Sequence, residues 1–382
     1  MLYMSNQLPY DRTEPYNHLP LLPPPDNKVL TIEILLALNN ANKALAELKG
    51  LARILPNQSM LVNTLALREA KASTEIENIF TTDDELYKAL SGNDTNLNGN
   101  AKEVLRYRQA LWKGFDIINN TGQFSVELMV ELYREIKQVN DGIRPPQTET
   151  TIKRRGSGIL GGTVVYTPPR GEKIIEQKLE NLSQYLNDDS KYPYDPLIKM
   201  AVAHYQFEAI HPFRDGNGRA GRILNILSLI HKRLLDVPIL YLSSYIISNK
   251  DNYYETLNGV TTRRNWHDWI LYMMKAIEET SVFTIQKITE IDRLYRRTLE
   301  MAGSKLPHIP TEVIERIFEQ PYTSPKKLLD QNNLFRSTGI RSLNTAKKYL
   351  KQIEDLKILV PQKIGKEVIY MNIDLFNLLS ET

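Results

Sequence analysis

Apolar residues recur at three- to four-residue steps along most of this chain, so its pattern is helical before any other property is weighed. The opening is different. A polar, proline-rich start ends in Leu19-Pro20-Leu21-Leu22-Pro23-Pro24-Pro25, a run that favours extended polyproline geometry and predicts a strap laid over a domain. From Val29, the spacing of Leu30, Ile34, Leu38, Leu45 and Leu48 predicts a helix that Pro56 closes. A second helix, from 61 to about 78, carries Leu65, Ala66, Glu69 and Ile76, and Thr82 with Glu85 forms a capping box for a third. The Asn-, Asp- and Gly-filled tract 91–100 reads as a loop. Helices are expected at about 101–119, 125–139, 173–186 and 196–210. Residues 141–171 break the pattern, being rich in Gly and Pro with β-branched pieces at 150–152 and 163–167. They predict a short hairpin bounded by Pro168-Pro169. Past Met301, Gly303 and Pro307 the texture changes again. Helices at 311–319, 324–330 and about 342–356, followed by β-like pieces at 357–362 and 368–373, resemble a winged helix-turn-helix. No internal repeat recurs at a fixed period.

Length and composition add bounds. At 382 residues and 42% hydrophobic, the chain can hold one large domain and a smaller one. A formal charge of +3 supplies no global field of the kind that gathers nucleic acid. The absence of cysteine excludes disulfides and thiolate metal sites and is compatible with a reducing compartment. Residues 1–12 contain no apolar leader-like run, and no stretch approaches the roughly 18–20 apolar residues of a membrane span. A soluble, cytoplasmic protein without membrane association is expected.

The segment richest in chemistry is His211-Pro212-Phe213-Arg214-Asp215-Gly216-Asn217-Gly218-Arg219-Ala220-Gly221-Arg222. An apolar helix leads in, and a periodic one (Ile223, Ile226, Leu227, Ile230, Leu234) leads out. A Gly-Asn-Gly turn opening a helix presents successive backbone N–H groups to an anion. Gly216 and Gly218 permit positive φ and close approach of phosphate oxygens. Arg219 and Arg222 share a helical face and can both reach a polyphosphate, while Asp215 suits Mg²⁺. His211 has the pKa range to take a proton from a hydroxyl. The same residues would also make a glycine-containing interhelical turn with solvated charges.

The segment fits HxFx[DE]GNGRxxR, the signature of Fic proteins, at every specified position. A chance match in a chain this long is on the order of 10⁻⁸ to 10⁻⁷. The resemblance extends over about residues 15–280. It includes the proline-rich start, Ala203-His204-Tyr205-Gln206-Phe207-Glu208, and Tyr241-Leu242-Ser243 through Tyr253-Tyr254. It implies a protein adenylyltransferase that uses ATP and Mg²⁺. His211 would be the base that deprotonates a target Ser, Thr or Tyr hydroxyl, and Asp215 the magnesium ligand. Gly216, Asn217 and Gly218 would cradle the phosphates, with Ala220 and Gly221 in the same stretch, and Arg219 and Arg222 would hold the β- and γ-phosphates. Phe213 would anchor the loop in the core. Ser248, Asn249 and Tyr253 would contribute to the adenine pocket, or simply fill a helix junction.

A shorter resemblance lies at Ser73-Thr74-Glu75-Ile76-Glu77-Asn78, which fits the Fic inhibitory motif [ST]xxxE[GN]. Ser73 and Glu77 would face the same way on one helix. By resemblance, Glu77 would pair with Arg222 and misalign ATP, in the class whose inhibitory helix lies upstream of the core. The hairpin would be the flap, with Thr163, Val164, Val165 and Tyr166 as a docking edge for an extended target segment, or an ordinary surface hairpin.

The expected fold is mainly α. A helical Fic core carries a small β-hairpin flap and is followed by a C-terminal winged helix-turn-helix. Boundaries fall at 1–100 for an N-terminal region with the inhibitory helix, 101–300 for the core and 305–382 for the last domain. From Pro307 onward, eleven Lys or Arg stand against nine Asp or Glu. Lys347, Lys348 and Lys351 cluster on the expected recognition helix and Lys363 and Lys366 flank the wing, compatible with DNA or with protein. Expected partners are a target protein with an acceptor hydroxyl, the chain itself through automodification, a second copy in a homodimer, and DNA through the last domain. The competing readings are a DNA-binding regulator whose Fic domain senses nucleotide, an enzyme that also removes AMP, and transfer of another phosphate-linked group. His204 and His231 have no partner ligands at metal spacing and read as structural.

Overall fold

The computed structural model describes residues 10–54, 58–90, 99–154, 162–329, 338–364 and 367–380. The chain is mostly helical with two small antiparallel sheets. The first part runs α1 (Asp26–Val29), α2 (Ile32–Ile54), α3 (Gln58–Ile76), α4 (Asp83–Leu90), α5 (Gly99–Thr121) and α6 (Val126–Lys137). The hairpin follows as β1 (Ile152–Arg154) and β2 (Thr163–Tyr166), then α7 (Ile174–Asn187), α8 (Pro196–Ile210) and α9 (Asn217–His231). Next come α10 (Leu242–Ser248), α11 (Lys250–Arg263) and the long α12 (Trp266–Lys305). The remainder is α13 (Thr311–Phe318), β3 (Tyr322–Thr323), a 3-10 turn (Pro325–Leu328), α14 (Leu343–Asp355), β4 (Leu359–Ile364), β5 (Glu367–Asn372) and α15 (Ile373–Ser380). Among the described residues, no helix is long and apolar enough to cross a membrane.

Packing gathers the chain into two compact units. One consists of residues 1–43, 109–235 and 245–278; the other of 44–108, 236–244 and 279–382.

In the first unit, α8 packs against α7 and α9, and α6 packs on both of those. Nearly every residue of α8 is buried, Leu197, Ile198, Met200 and Val202 among them, as expected of a helix apolar on all sides. It begins on Asp195, whose side chain caps the Leu197 N–H, with Pro196 at the first position. Trp269, wholly buried, donates its indole N–H to the Ala201 carbonyl at 2.8 Å. The proline-rich strap lies on α7 and α8. Lys178 Nζ donates to the Leu19 carbonyl at 2.6 Å, Gln206 Nε2 to the Pro20 carbonyl at 2.9 Å, and Asn181 exchanges bonds with Leu22. The hairpin forms, with its first strand two residues later than the 150–152 piece. Residues 155–161, between the strands, lie outside the described residues, as does most of the expected loop at 91–100.

In the second unit, β3, β5 and β4 lie in that order, antiparallel, with α13 on β3 and α14 on β4. Two helices (α13, α14) and the closing hairpin stand where they were expected, while the short strand β3 and the last helix α15 were not foreseen. A single 3-10 turn stands where a helix over 324–330 was expected; Pro325 at its first position suits a helix start, but the piece is too short to sustain one. Tyr322 donates its hydroxyl to Asp84 Oδ1 at 2.6 Å, and the Tyr87 and Phe376 rings meet edge-on at 6.0 Å.

Candidate active site

The site is built where α8 ends and α9 begins. His211 caps α8 in the left-handed region (φ 49, ψ 59), its N–H bonded to the Phe207 carbonyl at 3.0 Å. A residue with a Cβ held there costs roughly 1–3 kcal/mol and persists only where its surroundings fix it. Arg144, 2% exposed, supplies much of that fixing. Its backbone N–H donates to the Pro212 carbonyl at 2.9 Å, its Nε to the His211 carbonyl at 2.9 Å, and its Nη2 to the Pro169 and Ile210 carbonyls. Tyr166 donates its hydroxyl to the Ala209 carbonyl at 2.8 Å, so β2 is tied to the same helix end.

Phe213 is wholly buried and stacks on Tyr133 with centroids 4.4 Å apart and planes 5° from parallel. Asn217 then closes the loop on itself. Its Oδ1 accepts from the Phe213 N–H at 2.9 Å and its Nδ2 donates to the Phe213 carbonyl at 2.8 Å. The side chain of Asn217 is therefore a staple, and what it can offer an anion is its backbone N–H. Gly216 precedes α9 at φ 78 and, as its N-cap, makes no side-chain capping bond, which suits that N-terminus to an anion. Of the two glycines that permit positive φ, Gly216 takes it and Gly218, inside the first turn of α9, does not. Ala220 is buried, and a Cβ on Gly221 would meet Glu208 Oε1 at 2.3 Å and Phe207 Cδ1 at 3.1 Å. Glycine at 221 lets α8 and α9 approach closely.

Charge is concentrated at this junction. Asp215 exposes 66% of its side chain; its Oδ1 accepts from the Gly216 N–H at 2.7 Å and its Oδ2 from Lys137 Nζ at 2.6 Å. Partial desolvation opposes its charge, but the bond and charge of Lys137, the Gly216 N–H and Arg219 outweigh it and hold the carboxyl below the usual carboxylate range. Arg219 Nη2 lies 4.0 Å from Asp215 Oδ2. Arg219 and Arg222 are both 2% exposed. Beneath α9, His204 Nε2 meets the Tyr253 hydroxyl at 2.9 Å, and the imidazole stacks on Trp269. Burial, then the Arg222 charge, push His204 down to about 3, so it is neutral at ordinary pH. His231 bonds the Gly122 carbonyl at 2.9 Å.

Of the residues considered for an adenine pocket, Ser248 is exposed at the end of α10, and Asn249 begins α11 with its Nδ2 on the Tyr245 carbonyl at 3.0 Å. Tyr253 is 2% exposed, with its hydroxyl on His204. In the hairpin, Thr163 is exposed, Val164 and Val165 are half-buried, and Tyr166 is an anchor, buried against α8. Tyr10 already donates its hydroxyl to the Val165 carbonyl at 3.2 Å. In the other unit, Ser73 is wholly buried on α3. Glu77 does not continue that helix as expected. The helix ends at Ile76, and Glu77 sits in the closing turn, its N–H on the Thr74 carbonyl at 3.0 Å. Asn78 follows at φ 62, a left-handed position where Gly and Asn are tolerated best. That explains the [GN] ending of the motif. Sequence reasoning missed Arg144 and Lys137. An Arg directly before Pro145-Pro146 in the stretch after α6 was the only signal for the first, and nothing marked the second.

Comparison with known proteins bears on this geometry. Residues 35–116 match the Fic/DOC family N-terminal model, 123–229 the Fic/DOC family model, and 294–375 the model described as protein adenylyltransferase SoFic-like, C-terminal domain. The chain is 29% identical over 196 residues to protein adenylyltransferase fic-1 of Caenorhabditis elegans, covering 51% of this chain and 35% of that one. It is 27% identical over 188 residues to a probable protein adenylyltransferase of Aquifex aeolicus, covering 48% and 53%. It thus spans about a third to a half of the length of these curated relatives. Among solved structures, a Fic family protein from Desulfovibrio desulfuricans superposes with a TM-score of 0.54 at 17% identity, covering 90% of this chain and 96% of that one. Fic-1 of C. elegans superposes at 0.52 and 18%, covering 67% and 74%.

Proposed function

The chain belongs to the Fic/DOC family, and we propose that it is a protein adenylyltransferase that moves AMP from ATP to a Ser, Thr or Tyr hydroxyl of a target protein. The observation that carries this reading is the α8–α9 junction, where His211 ends one helix and the glycine-opened start of the next follows within residues 212–216. The backbone N–H groups of that turn receive phosphate oxygens. Arg219 and Arg222 hold the β- and γ-phosphates as negative charge moves to the leaving group. His211 takes the proton of the acceptor hydroxyl; the oxygen bonds to the α-phosphorus as the bond to the bridging oxygen breaks, and pyrophosphate departs. The residues also fit magnesium, since Asp215 offers one exposed, ionised carboxylate and Mg²⁺ takes one or two of these beside phosphate oxygens and water. Bound there, the ion would neutralise phosphate charge.

Glu77 serves as the brake in this proposal, pairing with Arg222 and leaving ATP misaligned. Its backbone is set in the turn that closes α3 ahead of the left-handed Asn78, which supports a fixed origin for the side chain. Target segments dock along the hairpin through main-chain hydrogen bonds, and the chain itself is one target. A cytoplasmic setting accords with the absence of cysteine. For the C-terminal elements, Lys347 and Lys348 are exposed on α14, and Lys351 is engaged by Glu354 at 2.6 Å and Asp355 at 3.6 Å.

Intact-mass analysis of the Glu77→Gly protein after incubation with ATP and magnesium tests the reading. Mass increments of one AMP are expected, absent when His211→Ala is added and scarce in the unsubstituted protein. If Glu77→Gly and Glu77→Gly/His211→Ala carry equal increments, His211 is not the base.

A further inference from the structure

We propose that Arg144 is a positioning residue for the reaction, a buried guanidinium that sets the backbone of His211 and couples it to the exit of the hairpin. The inference deepens the adenylyltransferase reading and rests on it. Arg144 lies outside the signature, and its Nε reaches the His211 carbonyl across 67 positions of sequence.

Three observations converge on this role. First, all the protein bonds of Arg144 at this junction run to backbone carbonyls: Pro212, His211, Ile210 and Pro169. An arginine 2% exposed is usually retained for an acid or a phosphate. This one is spent on carbonyl oxygens at the end of α8, where the helix presents partial negative charge and a cation is favoured. Second, the peptide groups on both sides of Pro212 are held, one by Nε and the other by the Arg144 backbone N–H. The first of these, together with the Ile210 carbonyl that Nη2 also reaches, flanks His211 and so sets its left-handed turn. With Phe213 stacked below and Asn217 stapled across, the loop has few ways to relax. Third, the Pro169 carbonyl belongs to the segment leaving β2, and Tyr166 of β2 independently grips the Ala209 carbonyl. Arg144 and Tyr166 therefore fasten the strand meant to carry the target to the helix end that carries the base. A general base must meet its proton at hydrogen-bond distance, and a displacement of about 1 Å can cost on the order of 100-fold in rate.

Arg144 touches neither ATP nor the acceptor in this account, so its loss separates from loss of nucleotide binding. The test uses full-length Glu77→Gly protein carrying Arg144→Ala or Arg144→Lys. Its readouts are AMP transfer, ATP affinity by calorimetry, and the ring signals of His211 in histidine-labelled NMR spectra, assigned with His211→Ala. Arg144→Ala is expected to lower the transfer rate constant about 100-fold, leave ATP affinity within about twofold, and move the His211 signals. Arg144→Lys, which keeps the charge but not the fork, should recover part of the rate. Equal falls in rate and ATP affinity would overturn the proposal, as would unmoved His211 signals with an unchanged rate. Should Arg144→Ala fail to fold, Arg144→Lys decides by the same three readouts. The NMR arm stands whether or not AMP is transferred, so failure of the adenylyltransferase reading would show separately, as absent transfer in the Glu77→Gly parent.

Discussion

At the scale of single residues, the most telling group is one that does no chemistry. His204 is buried and neutral, and its imidazole is pushed down to about 3. Because the folded state refuses a proton that the unfolded state accepts below about pH 6.5, His204 costs nothing at neutral pH. Its contribution to stability falls by about 1.4 kcal/mol per pH unit as pH drops from about 6.5 toward 3. Urea unfolding at pH 7 and pH 5 should therefore show a loss about 2 kcal/mol smaller in His204→Gln than in the unsubstituted protein; equal losses would mean that the imidazole is solvated. His211 and Phe213 were legible in the sequence because the signature spells them out. Arg144 and Lys137 were not. Their partners lie 67 and 78 positions away, and for Arg144 those partners are carbonyls, which every residue possesses.

Elements were legible where local chemistry sets their ends. The capping box is present as read, with Glu85 N–H on Thr82 Oγ1 at 3.2 Å and Thr82 N–H on Glu85 Oε2 at 3.1 Å. The end of α3 was not, because a Ser and a Glu four apart imply one helical face only while the helix continues, and Asn78 stops it. In the turn before α9, Gly216 uses the positive φ that both of its glycines permit. Gly216→Ala would place a Cβ at φ 78, 3.4 Å from Lys137 Cδ. It should cost about 1–2 kcal/mol of stability and weaken ATP binding, as calorimetry would show; unaltered binding would remove the turn from the site. On the hairpin, Val165→Pro deletes an edge N–H and should abolish modification in trans while sparing ATP affinity. Normal modification of an added target would move docking elsewhere.

At the scale of the whole molecule, the sequence anticipated a helical protein with a small hairpin and a C-terminal set of helices and strands, because each has its own periodicity. Packing was not written in any one segment: the second unit draws together residues 44–108, 236–244 and 279–382. Contacts such as Tyr322 on Asp84, 238 positions apart, leave no local trace. The measurement that tests the central claim most directly is to incubate Glu77→Gly with ATP labelled in parallel at the α- and the γ-phosphate. AMP transfer through the α8–α9 turn predicts that the α-label stays on protein, the γ-label leaves with pyrophosphate, and His211→Ala abolishes retention. Retention of the γ-label, or no label from an enzyme shown to bind ATP, would contradict it.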